Sequence, residues 1–281
     1  MNNGCTGAVI AFAAGFLILH AEAGPYAPAA GITGSTAVAY DSSSIHGWAS
    51  GVVEVKAGLQ DSSFPALGPV SYGHDSGDGR FPGIDALGPA DAQDDSYPVI
   101  SLGDGGSITL SFSLPITNGA GPDFAVFENG ISDTFLELAF VEVSSDGVLF
   151  FRFPSVSLTS TTTQIGGFGA LDATNLNNLA GKYRRGFGTP FDLAGLAGKP
   201  GLDVNRILQV RLIDVVGSID PAYGQLDSQG HLVNDPWTTP YETGGFDLDA
   251  IAVLNQVPEP GSAILLAYGM AWIGLRRRSR K

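Results

Sequence analysis

Asp247 and Asp249 stand two residues apart in "GGFDLDAIAVL", a stretch with the pattern of a β-strand. Side chains alternate across a strand, so the two carboxylates project to one side with Cα atoms about 6.5 to 7 Å apart. Like charges held so close repel unless a cation or hydrogen-bond donors intervene. Just upstream, "LDSQGHLVNDPW" adds Asp227, Asn234 and Asp235, with backbone carbonyls around Gly230. Such hard oxygen donors suit calcium, and Asp227, Asp235, Asp247 and Asp249 form a candidate ligand set. The spacing is not that of an EF-hand. Asp227 and Asp235 also have a second explanation, the ordering of turns by side-chain to backbone hydrogen bonds.

Another acidic stretch, "GHDSGDGRFPGIDALGPADAQDD", carries Asp75, Asp78, Asp85, Asp91, Asp94 and Asp95 and reads foremost as a solvated loop. Aromatic residues offer a different chemistry. Trp48, Tyr72, Trp237 and Tyr241 lie in loops rich in Gly, Pro and Asp, where an exposed ring beside polar groups can stack on a sugar. Trp237 and Tyr241 are the candidate ligand-binding pair. Trp237 also fits a core-sealing position, because Pro236 and Pro240 fix the loop around it.

Catalytic signatures are weaker. His46, His74 and His231 lack the close helical spacing of a zinc site, "HDSGDG" around Ser76 lacks a protease context, and no G-x-S-x-G elbow occurs. Glycoside hydrolysis needs two carboxyls facing one gap. Glu137 and Glu142 are five apart in one expected strand and so face opposite ways, as do Asp123 and Glu128. Only a pair drawn from different strands would serve, so no residue is assigned a catalytic role and binding is expected instead of turnover.

The elements that must position these residues are short strands. In "SITLSFSL", Ile108, Leu110, Phe112 and Leu114 share one face and Ser107, Thr109, Ser111 and Ser113 the other. A strand is expected over Phe124 to Glu128, closed by an Asn129-Gly130 turn. "FLELAFVEVSSDGVLFFRF" predicts a hairpin, with strands over Phe135 to Val143 and Val148 to Phe153 about a turn at Ser145-Asp146-Gly147. "RILQVRLIDVV" and Phe246 to Leu254 supply two more strands. "TPFDLAGLAG" predicts a short helical turn capped by Thr189, and "SLTSTTTQIGGFG" a flexible or edge loop. Two-faced strands joined by turns rich in the chain's 39 glycines and 17 prolines predict an all-β fold, a jelly-roll-like β-sandwich with short helical turns.

Charge narrows the partners. Residues 24 to 257 hold nine Lys and Arg against 26 Asp and Glu, a net charge near −17. Such a surface repels nucleic acid and anionic lipid and favours cations or cationic partners. The chain's one cysteine, Cys5, precedes this region, which leaves no disulfide framework or thiolate metal site within it.

Both ends read as addresses. "AVIAFAAGFLIL", Ala8 to Leu19, is an apolar stretch of signal-peptide length, and the small residues Ala21 and Ala23 place cleavage after Ala23. No Lys or Arg precedes it. The chain ends in "VPEPGSAILLAYGMAWIGLRRRSRK". Pro258 and Pro260 separate a marginal apolar span, Gly261 to Leu275, from the body, and Arg276, Arg277 and Arg278 with Arg280 and Lys281 hold its far end on the cytoplasmic side. This order of elements resembles the PEP-CTERM sorting signal of Gram-negative bacteria, built on the motif Pro258-Glu259-Pro260. The resemblance implies processing by signal peptidase and an exosortase. It further implies an inner-membrane intermediate with a single membrane helix, and final residence at the cell surface or in an extracellular matrix.

The body has resemblances of its own. The run from Ala86 to Gly130, "VEVSSDGVLFFRF" and "NDPWTTPYETGGFDLDAIAVLN" together look like a group of exported bacterial surface proteins that often carry this tail. The hairpin and last strand are also similar in pattern to galactose-binding-like carbohydrate modules, whose last strand often gives an acidic ligand to a structural calcium. The expected organisation is a signal peptide (1–23), an exported β-sandwich (24–256) and a sorting signal (257–281). The expected function is non-catalytic surface or matrix binding with calcium as the ion. Carbohydrate binding is the alternative, and glycan hydrolysis a more distant one.

Overall fold

A computed structural model of the chain describes residues 23–73, 83–91 and 98–257. Ala21, the motif Pro258-Glu259-Pro260, the tail residues Arg276, Arg277 and Arg278, and the acidic loop at 74–82 and 92–97 lie outside them. The described strands are β1 (Val38–Ala39), β2 (Gly47–Lys56), β3 (Ile100–Ser101), β4 (Ser107–Ile116), β5 (Phe124–Glu128), β6 (Ala139–Ser144), β7 (Phe151–Arg152), β8 (Val156–Ser157), β9 (Leu176–Asn177), β10 (Phe187–Phe191), β11 (Ile207–Asp214) and β12 (Asp247–Val253). Four 3₁₀ turns are the only helical elements among the described residues, and no helix there is long and apolar enough to cross a membrane. The fold is all-β, as expected.

Ten strands form one curled antiparallel sheet in the order β1-β10-β5-β12-β2-β4-β11-β6-β7, with β3 alongside β12; β8 and β9 pair separately. The curl follows from β2. Its first residues, Gly47 and Trp48, pair with β12, while Ala49 to Lys56 pair with β4 through two register shifts. Bulges of this kind bend a strand and increase its twist. One ten-residue strand therefore passes from one layer to the other. Apolar side chains of β5 and β12 (Phe124, Val126, Leu248, Ile251) then meet those of β4, β6 and β11 (Leu110, Val141, Leu212) in one buried cluster. Two layers with a core between them are the arrangement expected of a sandwich.

β4, β5, β11 and β12 lie where the sequence predicts strands. The hairpin is shorter than expected, since Phe135 to Leu138 and Val148 to Phe150 lie outside strands and only Glu142 and Val143 pair with β7. Thr189 does not cap the helical turn. It lies in β10, and Asp192 caps Leu193–Leu196 by accepting the Ala194 amide at 2.8 Å.

β12 carries a feature that matters for the site. Its pairing with β5 slips between Leu248 and Ala250. Leu248, Ile251 and Val253 join the core between the layers, whereas Ala250 and Ala252 pack on the opposite face with Phe127 and Leu254. Asp249 sits at the slip, next to the strand's opening residue Asp247.

Candidate functional site

The strand ends at one margin of the β5 and β12 layer bring together an acidic group. Glu128 closes β5, Asp247 opens β12, and Asp214 closes β11. Asp235 precedes β12, and Glu137 lies in the segment leading into β6. All are nearly inaccessible, with exposures of 1% for Glu128, 7% for Glu137, 1% for Asp214, 3% for Asp235 and 8% for Asp247. Burial disfavours the charged form of a carboxyl and like charges add to the effect. Loss of solvent, reinforced by neighbouring acids, holds Glu128, Glu137, Asp214 and Asp235 well above the usual carboxylate range. Asp247 is pushed up to about 7 by burial, against the opposing effect of two donated hydrogen bonds.

The members differ in how their oxygens are used. Asp214 accepts the Phe246 and Gly105 amides at 2.7 and 3.1 Å, one on each oxygen. Asp247 accepts the Ser101 hydroxyl on Oδ1 and Asn129 Nδ2 on Oδ2 at 3.1 Å. Glu128 Oε2 accepts the Gly130 amide at 2.8 Å and Asp235 Oδ2 the Leu138 amide at 3.0 Å, but Glu128 Oε1 and Asp235 Oδ1 are buried without a donor. No described residue donates a hydrogen bond to the Glu137 carboxyl.

Glu137 is placed by its neighbours. Leu136 and Leu138 enter a second apolar cluster with Leu171, Leu176 and Val233, so the residue between them turns the other way. The Leu138 amide is fixed by Asp235 and its carbonyl accepts the Val215 amide at 3.0 Å. Gly181, at φ +80°, lies so close to the Glu137 carbonyl that an added Cβ would stand 1.8 Å from its oxygen. Only glycine combines that dihedral with that approach.

Glu137 and Asp247 face one cavity of about 390 Å³, within the size range of small-ligand sites. Asn129, Thr239 and Thr243 add polar groups to its lining, and Ile131, Phe135, Phe168 and Tyr241 an apolar wall. The Phe168 ring lies 6.0 Å from both Phe135 and Tyr241, while being 76% exposed itself. The loop that presents Phe168 is tied down by Asn234, whose amide donates to the Ser160 and Thr163 carbonyls and whose Oδ1 accepts the Ile165 amide.

Of the expected metal ligands, Asp235, Asp247 and Asp249 all act on Glu128, but Asp227 lies apart. Its carboxylate accepts the Gln229, His231 and Ser157 amides, the turn-ordering role. Asp249 accepts the Asp91 amide at 3.1 Å. Among the described residues no three His, Cys, Asp or Glu side chains are disposed to grip one metal ion. Tyr241 lines the cavity as a candidate aromatic. Trp237 does not: it is half-buried, stacks on Tyr223 at 5.9 Å and donates Nε1 to Asp104. Phe135 and Phe168 carry no signal in sequence, since "FLELAF" and "GGFG" read as strand and loop, and Glu137 is weighed there only against Glu142 of its own expected strand, not against Asp247 across the cavity. Comparison with family models, curated proteins and solved structures finds no match.

Proposed function

We propose that the chain is an exported surface protein whose jelly-roll-like sandwich binds a polysaccharide in the cavity between Tyr241 and Glu137, without turning it over. The observation that carries this reading is the lining: three aromatic rings in a contiguous row, together with amide, hydroxyl and carboxyl groups around the same cavity. Sugar rings present apolar CH faces and hydroxyl edges, and such a site addresses both. Titration of the purified protein against a panel of soluble glycans tests it. Saturable binding should fall at least tenfold in Phe168→Ala and Tyr241→Ala, as for loss of a binding contact worth about 1.4 kcal/mol or more. Absence of binding across the panel overturns the reading. Release of new reducing ends, lost in Glu137→Gln, would instead make Glu137 and Asp247 the cross-strand carboxyl pair of a hydrolase.

Calcium is a second reading, favoured by the donorless oxygens Glu128 Oε1 and Asp235 Oδ1. A pair of these carboxylates would hold the ion, with backbone carbonyls and water completing its shell. Binding to the folded state raises its stability by mass action, so the melting temperature should rise in millimolar calcium over excess chelator, and the rise should vanish in Asp235→Asn.

Export and sorting complete the proposal. Signal peptidase would act after Ala23 and an exosortase at Pro258-Glu259-Pro260. Replacing those three residues by Ala should leave unprocessed protein in the inner membrane, and normal processing of that variant would overturn the assignment.

A further inference from the structure

We infer that the glycan bound in this cavity carries a free, positively charged amino group, which sits against Glu137 with the Phe135, Phe168 and Tyr241 rings around it. The inference rests on the glycan reading and names the chemical class of the sugar.

The first argument is an unmet partner. Glu137 is buried, faces the cavity, and receives no hydrogen bond from any described residue. Its oxygens are not sealed from the cavity, as Glu128 Oε1 is sealed within the protein, so whatever fills the cavity supplies their donors. Glu142, five residues along, shows how the same side chain is treated when the protein supplies the cation itself: Arg152 Nε and Arg211 Nε donate to it at 2.9 and 2.8 Å.

The second argument is the field. The charged groups acting most strongly on Glu137 are Asp247 on β12, Glu128 on β5, Asp235 ahead of β12, and Asp214 on β11, and every one is acidic. None of the described lining residues is Lys, Arg or His. The cavity's own acids are Glu137 and Asp247, and a cation beside them is favoured because it stabilises the ionised form that burial otherwise disfavours. A sugar hydroxyl would leave that field unanswered, whereas an ammonium supplies both charge and up to three donors.

The third is the wall. Ammonium groups are attracted to aromatic faces within about 6 Å of the ring centroid. Three linked rings beside a buried acid make an environment suited to an amine with an apolar skeleton, which describes an amino sugar. Acetylation of the amine removes the charge and adds bulk, so an unmodified amine is the form selected.

The test is calorimetric titration of the full-length protein at pH 6.5 with oligomers of glucosamine, of N-acetylglucosamine and of glucose. Glucosamine oligomers are expected to bind roughly tenfold or more tightly than the other two, the equivalent of one charge-assisted hydrogen bond. That advantage should disappear in Glu137→Gln, while Phe168→Ala should weaken all binding ligands alike. Thermal melting of Glu137→Gln establishes that it folds. Equal affinity for charged and neutral oligomers overturns the amine inference and leaves the glycan reading standing. Binding of none overturns both. An advantage that survives unchanged in a folded Glu137→Gln removes Glu137 from the site.

Discussion

Two glutamates five residues apart show what a carboxyl needs once it leaves water. Glu142 is 7% exposed, yet it is held between Arg152 and Arg211, whose guanidinium groups also lie over the Phe140 and Phe150 rings at 4.3 and 3.9 Å. Glu137 has the same exposure and no cation. Removing charge at the two positions should therefore have opposite consequences. Glu142→Gln should cost about 1 to 2 kcal/mol, because two arginines lose a common partner. Burial and neighbouring acids shift the Glu137 carboxyl upward, so Glu137→Gln should raise stability more at pH 8, by about 1 to 3 kcal/mol, than at pH 5. Urea midpoints at the two pH values separate these outcomes. Destabilisation of Glu137→Gln at pH 8 would mean that the carboxylate has a partner after all.

Among the strands, legibility followed solvent. Where one face of a strand is wet, as in β4, alternation marks it plainly, and its serines and apolar residues fall as the pattern requires. β5 and β12 are buried along their whole lengths, so no wet face marks them; the Asn129-Gly130 turn bounds β5, and "FDLDAIAVL" marks β12. The segment Phe135 to Leu138 defeated the same reasoning. Its alternation suggests a strand, but its backbone bonds go to Asp235 and Val215 and it has no strand partner. A long-range carboxylate acting as a hydrogen-bond acceptor leaves no local trace in sequence. The candidate site was half legible for the same reason: Asp235, Asp247, Asp249 and Tyr241 stood out by type and spacing, while Glu137 acquires meaning only once Gly181 and the two leucines aim it. Gly181→Ala tests that positioning. The added methyl must displace the Glu137 carbonyl and force a positive φ on alanine, so it should destabilise the fold by about 2 kcal/mol or more and weaken glycan binding together. Full binding by a stable Gly181→Ala protein would separate the cavity from the segment that lines it.

For the whole molecule the buried acids set the direction of pH dependence. A carboxyl whose folded value is raised binds more protons in the folded than in the unfolded chain between its ordinary value and the raised one. Stability therefore falls as pH rises through that window. For Asp247 the loss runs from about pH 4, the ordinary aspartate value, to about pH 7. Each proton so linked costs about 1.4 kcal/mol per pH unit. Glu128, Glu137, Asp214 and Asp235 act in the same sense, and a net charge of −14 adds general repulsion at high pH. The denaturation midpoint should be higher at pH 5 than at pH 8, and a ligand cation in the cavity should flatten the difference. A midpoint that climbs with pH would show that the buried carboxyls ionise at no cost.

The position of β12 in the chain has a further consequence. It is the last strand of the described chain, yet it lies between β5 and β2 and also pairs with β3, so the strand that links β5 to β2 is completed after all the others. A polypeptide emerging N-terminus first, whether from the ribosome or across a membrane, holds β2 and β5 without the partner that unites them until residue 253 has appeared. Non-local pairings of this span are slow to form and cannot form early. The layer that holds β5 and β12 therefore closes only after the last described strand has been made.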